Sequence, residues 1–177
     1  VYEKQDPYTY TLQLSPDSET TDQDFGYKIL ARNDGRTLIV SAPKKGQGTV
    51  HFFSRSTATA GQNFVVTSSF TMSENDDTSS RLGYSLSMSS DQNFVVAGAP
   101  FTNAISSDGS TRYNDNGLIK IYAWNVNTGK YEILNTITPP EDGSTTDSSQ
   151  AQNFGWSTAI SEPGANSLRS TTTKYLF

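Results

Sequence analysis

Arg81-Leu82-Gly83-Tyr84, Phe94-Val95-Val96-Ala97-Gly98-Ala99-Pro100 and Gly117-Leu118-Ile119-Lys120-Ile121-Tyr122 follow one another in mid-chain. The same three elements occur upstream as Asp24-Phe25-Gly26-Tyr27, Leu38-Ile39-Val40-Ser41-Ala42-Pro43 and Gly48-Thr49-Val50-His51-Phe52-Phe53. Leu82 follows Phe25 by 57 positions, and Pro100 follows Pro43 by the same 57. The first element returns once more as Asn153-Phe154-Gly155-Trp156, with Phe154 72 positions after Leu82. A fourth matching segment closes each period, Phe64 to Met72 and then Tyr131 to Thr138. Internal repetition decides architecture before any single segment does, and four short strands per period is the signature of a β-propeller blade.

The segments are strand-like on their own terms. Val50 and Phe52, and Leu118, Ile119 and Ile121, lie in short apolar runs bounded by Gly and Asn, with partial alternation of period two. Leu38 to Val40 and Phe94 to Ala97 are continuously apolar and small, which predicts strands buried on both faces between neighbouring sheets. Ala42-Pro43 and Ala99-Pro100 then end the strand, because proline cannot donate to the ladder. Glycine after Phe25, Leu82 or Phe154 predicts a close backbone approach.

The order Phe-Gly-aromatic, a spacer of about a dozen residues, Leu/Phe-Val-Val-x-Gly-Ala-Pro, then Gly-x-Val-x-Phe/Tyr resembles the FG-GAP repeat of integrin α-chains and related bacterial and viral proteins. The residues that carry the resemblance are Phe25, Gly26, Ala42, Pro43, Leu82, Gly83, Gly98, Ala99, Pro100, Phe154 and Gly155. The resemblance implies an all-β chain, a piece of an FG-GAP-type β-propeller, with two complete four-stranded blades and two partial ones. The divisions are 1–15, the end of a preceding blade; 16–72, a blade; 73–140, a blade with a loop insertion at 101–116; and 141–177, the start of a further blade. After Phe154-Gly155-Trp156 the Gly-Ala-Pro strand is missing, and Ser167-Leu168-Arg169-Ser170 stands in its place. A propeller closes with at least four blades. The remaining blades are therefore expected from a longer chain, or from partner copies covering open edges.

Composition limits the functions on offer. A net charge of -5 argues against nucleic acid and against anionic membrane, both of which need clustered Lys and Arg. Lys44-Lys45 is the one adjacent basic pair, and it reads as a solvated turn. Cysteine is absent, which removes disulfides and Cys-based metal or redox chemistry. No stretch has the roughly 20 apolar residues that span a bilayer as a helix. No Asn-x-Ser/Thr sequon occurs, which tilts the expectation toward a microbial or viral source.

Candidate chemistry is sparse. In the integrin family the hairpin between the first two strands of a blade often carries an Asp-rich calcium loop, yet here only Asp34-Gly35 matches it, flanked by Arg32 and Arg36. Plain hairpin turns are expected at Asn33-Asp34-Gly35 and Ser89 to Asn93. Calcium is a better fit to the acidic loops that hold Asp76 and Asp77, Asp108 and Asp115, and Asp142 and Asp147, although none has a recognised ligand spacing. No other cofactor is expected. His51 is the sole histidine and has no visible triad or metal partner, and no Gly-x-Ser-x-Gly occurs.

Extra loop length in a repeat protein is often where binding specificity sits. The 101–116 insertion, which the first repeat spans with Lys44-Lys45-Gly46-Gln47, makes Phe101, Ile105, Tyr113 and Trp124 the candidate binding residues. The expected function is a non-catalytic binding or adhesion module on a cell or particle surface, extracellular or on a virion, presenting loops to a protein or glycan. One alternative is a structural subunit of a virion appendage or filament that pairs with copies of itself through open edges. Another is an accessory propeller of a larger hydrolase.

Overall fold

The computed structural model describes residues 2–5, 9–12, 24–56, 63–72, 80–105, 112–139 and 152–161. The chain is all-β. Strands β1 (Tyr2–Gln5) and β2 (Thr9–Leu12) form an antiparallel pair with Tyr2 opposite Leu12. The first four-stranded sheet runs β3 (Ile29–Ala31), β4 (Thr37–Ala42), β5 (Thr49–Ser54) and β6 (Val65–Thr71), each antiparallel to the next. The second places β7 (Ser85–Met88), β8 (Phe94–Ala99), β11 (Leu118–Asn125) and β12 (Lys130–Ile137) in the same way. A small hairpin, β9 (Ala104–Ile105) with β10 (Arg112–Tyr113), is inserted between β8 and β11 without changing their register.

The two sheets repeat each other below the level of sequence identity. Both third strands break register with the fourth at one place, between Phe52 and Phe53 in the first sheet and between Ile121 and Tyr122 in the second. Those positions correspond when Gly48 is aligned with Gly117. A β-bulge increases twist and bends the outer strand, so both outer strands bend at the same level.

The sheets stack with unlike faces together. Ile39, Val50 and Phe52 leave the first sheet on one face and join Val95, Ala97, Leu118, Tyr122 and Tyr131 of the second in one core cluster. Leu38, Val40 and Phe53 leave the first sheet on its other face. Val95, Ala97 and Tyr122 are the counterparts of Leu38, Val40 and Phe53. One face of each sheet is thus built to receive the opposite face of its neighbour. Like strands lie side by side, β3 by β7 and β6 by β12. The interior is aromatic: Phe52 meets Tyr131 at 5.1 Å and Tyr122 at 5.3 Å, and Phe70 meets Tyr122 at 4.9 Å. Burying each such side chain contributes about 1.5–3 kcal/mol.

The segment after the second sheet repeats the contact. Phe154 forms a parallel bridge with Gly117, and the Ser85 hydroxyl donates to the Gly155 carbonyl at 2.7 Å. A Cβ on Gly98 would fall 1.9 Å from that same carbonyl oxygen. The small β8 strand predicted to be buried on both faces is so, and β4 is buried along its whole length. Gly98→Val is therefore expected to cost more than about 3 kcal/mol, through overpacking against backbone that cannot yield. Gly129→Ala, where no atom lies within 4 Å, should cost only about 1 kcal/mol, from its positive φ. Urea unfolding of the two variants checks the contrast.

Burial also sets an alkaline limit. It raises the Tyr122 phenol well above the ordinary tyrosine range and pushes Tyr131 up to about 12; the Tyr131 hydroxyl donates to the Gln92 carbonyl at 2.6 Å, which also favours its neutral form. An unfolded phenol ionises near pH ~10. Folding stability from these two groups is therefore complete below that pH and is lost as the pH rises toward the folded values. Chemical denaturation at stepped pH should show stability falling from about pH 10 upward, and Tyr122→Phe should flatten the fall. An unchanged slope in that variant would contradict the assignment.

Candidate ligand-binding edge

Each repeat opens with the same turn. Asp24, Arg81 and Asn153 take positive φ values of 52°, 56° and 49°, and the glycines two residues on, Gly26, Gly83 and Gly155, take 91°, 89° and 90°. The amides of Tyr27, Tyr84 and Trp156 donate back to the carbonyls of Asp24, Arg81 and Asn153, each at 3.0 Å. A β-turn with positive φ at its third place favours glycine there. The residue that follows the glycine is aromatic in all three repeats.

Those three aromatic side chains and Phe101 form one row. Tyr27 meets Tyr84 at 5.4 Å, Tyr84 meets Trp156 at 4.8 Å, and Phe101 lies 5.7 Å from both Tyr84 and Trp156. The row is open to solvent: Tyr27 is 42% exposed and Trp156 51%. Apolar residues exposed singly need no explanation, but a contiguous row of rings marks a contact surface.

Cations flank the row. The Lys28 ammonium lies 5.4 Å from the Tyr27 ring centre, and the Arg81 guanidinium lies 4.6 Å from that of Phe101. The neighbouring Tyr27 phenol raises the Tyr84 phenol above its ordinary range, while Arg81 and Lys28 act to lower it. At the near end Lys44 pairs with Asp24 at 3.3 Å. The edge thus offers ring faces, two neighbouring tyrosines and cationic side chains together.

Of the four binding residues expected from the insertion, Phe101 is in the row. Ile105 pairs with Arg112 in the β9–β10 hairpin and Tyr113 with Ala104, and their side chains lie outside the described structure. Trp124 does not belong with them. It is near the far end of β11, about 20 Å of strand from Leu118, where the Arg32 guanidinium stacks on it at 4.2 Å and Tyr131 meets it edge-on at 5.1 Å. Its role is to hold the β3–β4 turn of one sheet against the other, helped by the Asn33 amide donating to the Gln92 side-chain oxygen at 3.1 Å. Tyr27, Tyr84 and Trp156 stand with Phe101 in the row, and the sequence signal for them is the aromatic that follows each motif glycine.

The expected cation ligands Asp76, Asp77, Asp108, Asp142 and Asp147 lie outside the described residues. Asp115 is inside, in a positive-φ turn whose carbonyl accepts the Asn153 amide at 2.8 Å. Among the described residues no three His, Cys, Asp or Glu side chains gather. Asp34 accepts hydrogen bonds from the Arg36 and Thr37 amides at 2.8 and 3.2 Å. Asp91, 57 positions on, accepts from the Ser89 hydroxyl at 2.5 Å and the Asn93 amide at 3.1 Å. Burial alone would raise Asp91, but these bonds outweigh it and hold the carboxyl below its usual range. Both aspartates shape the hairpin turns on which they sit. His51 is buried beside Phe25 and Phe53, with its Nδ1 2.8 Å from the Ser69 hydroxyl. It is part of the packing.

No protein-family model matches the chain, and no curated protein matches its sequence. The row and the latch are separable by substitution. Trp124→Ala is expected to destabilise by about 3 kcal/mol, the ordinary cost of truncating a packed aromatic. Trp156→Ala, half exposed, should cost under about 1 kcal/mol, and thermal or urea melts of the pair measure the difference.

Proposed function

We propose that this chain is part of an FG-GAP-type β-propeller acting as a non-catalytic binding module, and that the aromatic edge is where its ligand docks. The observation that carries the reading is the row Tyr27, Tyr84 and Trp156, one ring from each repeat, with Tyr27 and Trp156 exposed, Tyr84 half-buried between them and Phe101 alongside. The propeller is supported by the head-to-tail stacking of unlike sheet faces, which generates a rotational series when it continues. Binding is supported by the chemistry of the edge, where amphipathic rings of the kind enriched at protein interfaces are held rigidly by turns. Rings presented by a fixed scaffold lose little conformational entropy when a partner arrives. A protein or glycan ligand at a cell or particle surface suits these features.

A second reading, assembly with copies of the chain, is favoured by the outer strands. Val65 and Val66 of β6 and Ile133 and Leu134 of β12 are all exposed at the bulged edge. Self-association through that edge should be abolished by Val66→Lys with Ile133→Lys, read by sedimentation velocity.

Screening the protein against immobilised glycans and displayed peptides tests the first reading. Expected is a ligand whose binding falls about tenfold or more, roughly 1.4 kcal/mol, in Tyr84→Ala and Trp156→Ala at unchanged melting temperature. Binding indifferent to both substitutions, or none at all, would remove the aromatic edge as the docking site.

A further inference from the structure

We infer that the ligand of this edge is a sugar bearing a carboxylate, its apolar face on the Tyr84, Phe101 and Trp156 rings and its carboxylate between Arg81 and Lys28. The inference rests on the binding-module reading and specifies the class of ligand within it.

Charge complementarity carries the first step. The whole chain has a net charge of -5, yet among the described residues the charged groups bordering the middle of the row, Arg81 and Lys28, are cationic. Asp24 is already occupied by Lys44, which neutralises the near end. Among the described residues no carboxylate pairs with Arg81: its guanidinium lies on Phe101 at 4.6 Å, and Lys28 lies near Tyr27 at 5.4 Å. The Tyr84 phenol, in contact with Tyr27, Phe101 and Trp156, lies within the electrostatic reach of both cations. A guanidinium resting on a ring is weakly hydrated and oriented, so it can take a carboxylate as a bidentate partner at little cost in order.

The form of the surface carries the second step. The rings are tilted against one another, by 36° at Tyr27 with Tyr84 and 51° at Tyr84 with Trp156. They form a faceted strip and not a single flat platform. Linked sugar rings offer C–H faces to such facets and hydroxyls to the two tyrosine oxygens. A peptide that binds by strand addition would need unpaired backbone, and the strip presents side chains. The two cations are in place before a ligand arrives, so an anionic sugar gains contact without displacing an ion pair among the described residues.

Calorimetry with the intact chain tests this with four probes: oligogalacturonate, its methyl ester, sialyllactose and lactose. Expected is binding of at least one acidic sugar, weakened about tenfold or more in its neutral counterpart and diminished by added salt. The two acidic probes separate a uronate from a sialate. Arg81→Gln with Lys28→Gln should bring the acidic sugar down to the neutral level, with the thermal melt unchanged. Equal binding of acidic and neutral sugars, or no binding of either acidic probe, would overturn the inference. A neutral sugar or a peptide held at the edge and lost in Trp156→Ala would leave the binding module standing without it. Absence of any edge ligand would end both.

Discussion

Everything in this structure depends on the seating of one repeat's opening turn against the sheet before it. The Leu82 amide donates to the Gln47 carbonyl at 3.1 Å, and the Phe154 amide to the Asn116 carbonyl at 3.0 Å. Gln47 and Asn116 stand immediately before the glycine that opens the third strand. At both joints side chains are excluded by backbone: a Cβ on Gly48 would meet the Leu82 nitrogen at 2.0 Å, and one on Gly117 the Phe154 oxygen at 2.1 Å. The loop ahead of the third strand therefore sets where the next sheet begins. Because the rule operates twice in the described chain, the stacking direction is inherited from joint to joint and is not chosen separately by each core.

The surface row is a consequence of that seating. The turn must pass through a positive φ at Gly83 and Gly155, and the next residue then stands at the edge beside its counterpart from the neighbouring repeat. An aromatic there is exposed on one side and supported on the other by the adjacent ring. Stability and presentation come from the same backbone geometry, so alteration of the row leaves the joints intact while alteration of the joints disperses the row. That asymmetry allows a regular scaffold to vary the side chains it presents.

Much of the fold was legible because its constraints are local in sequence. Glycine at the turns, small apolar residues in β4 and β8, and proline after Ala42 and Ala99 each answer to one backbone requirement. The bulges after Phe52 and Ile121 left no mark, since the extra residues, Thr67 and Leu134, share no chemistry. Trp124 was misplaced for a different reason: it shares β11 with residues next to the insertion, and only the stacking of two sheets shows that Arg32, far upstream, covers it. Phe101 was singled out by loop length, whereas Tyr27, Tyr84 and Trp156 were read as repeat markers. An aromatic that recurs for turn geometry and one that recurs for contact look alike in a sequence, and exposure is what separates them.

One pair of positions shows how the scaffold admits such change. Asp24 and Lys44 in the first repeat correspond to Arg81 and Phe101 in the second, each being the positive-φ residue of the turn and the residue after Ala-Pro. In the first repeat the two meet as an ion pair at 3.3 Å, and in the second as a cation on a ring at 4.6 Å. The geometry is preserved while the interaction is exchanged. An ion pair at a solvated edge is worth little and cancels its own charge. A guanidinium on a ring is of similar worth but leaves its charge free to act outward. Two different side chains on equivalent backbone thus replace an ion pair with a cation on a ring, without disturbing Leu82, Gly83 or the joint they occupy.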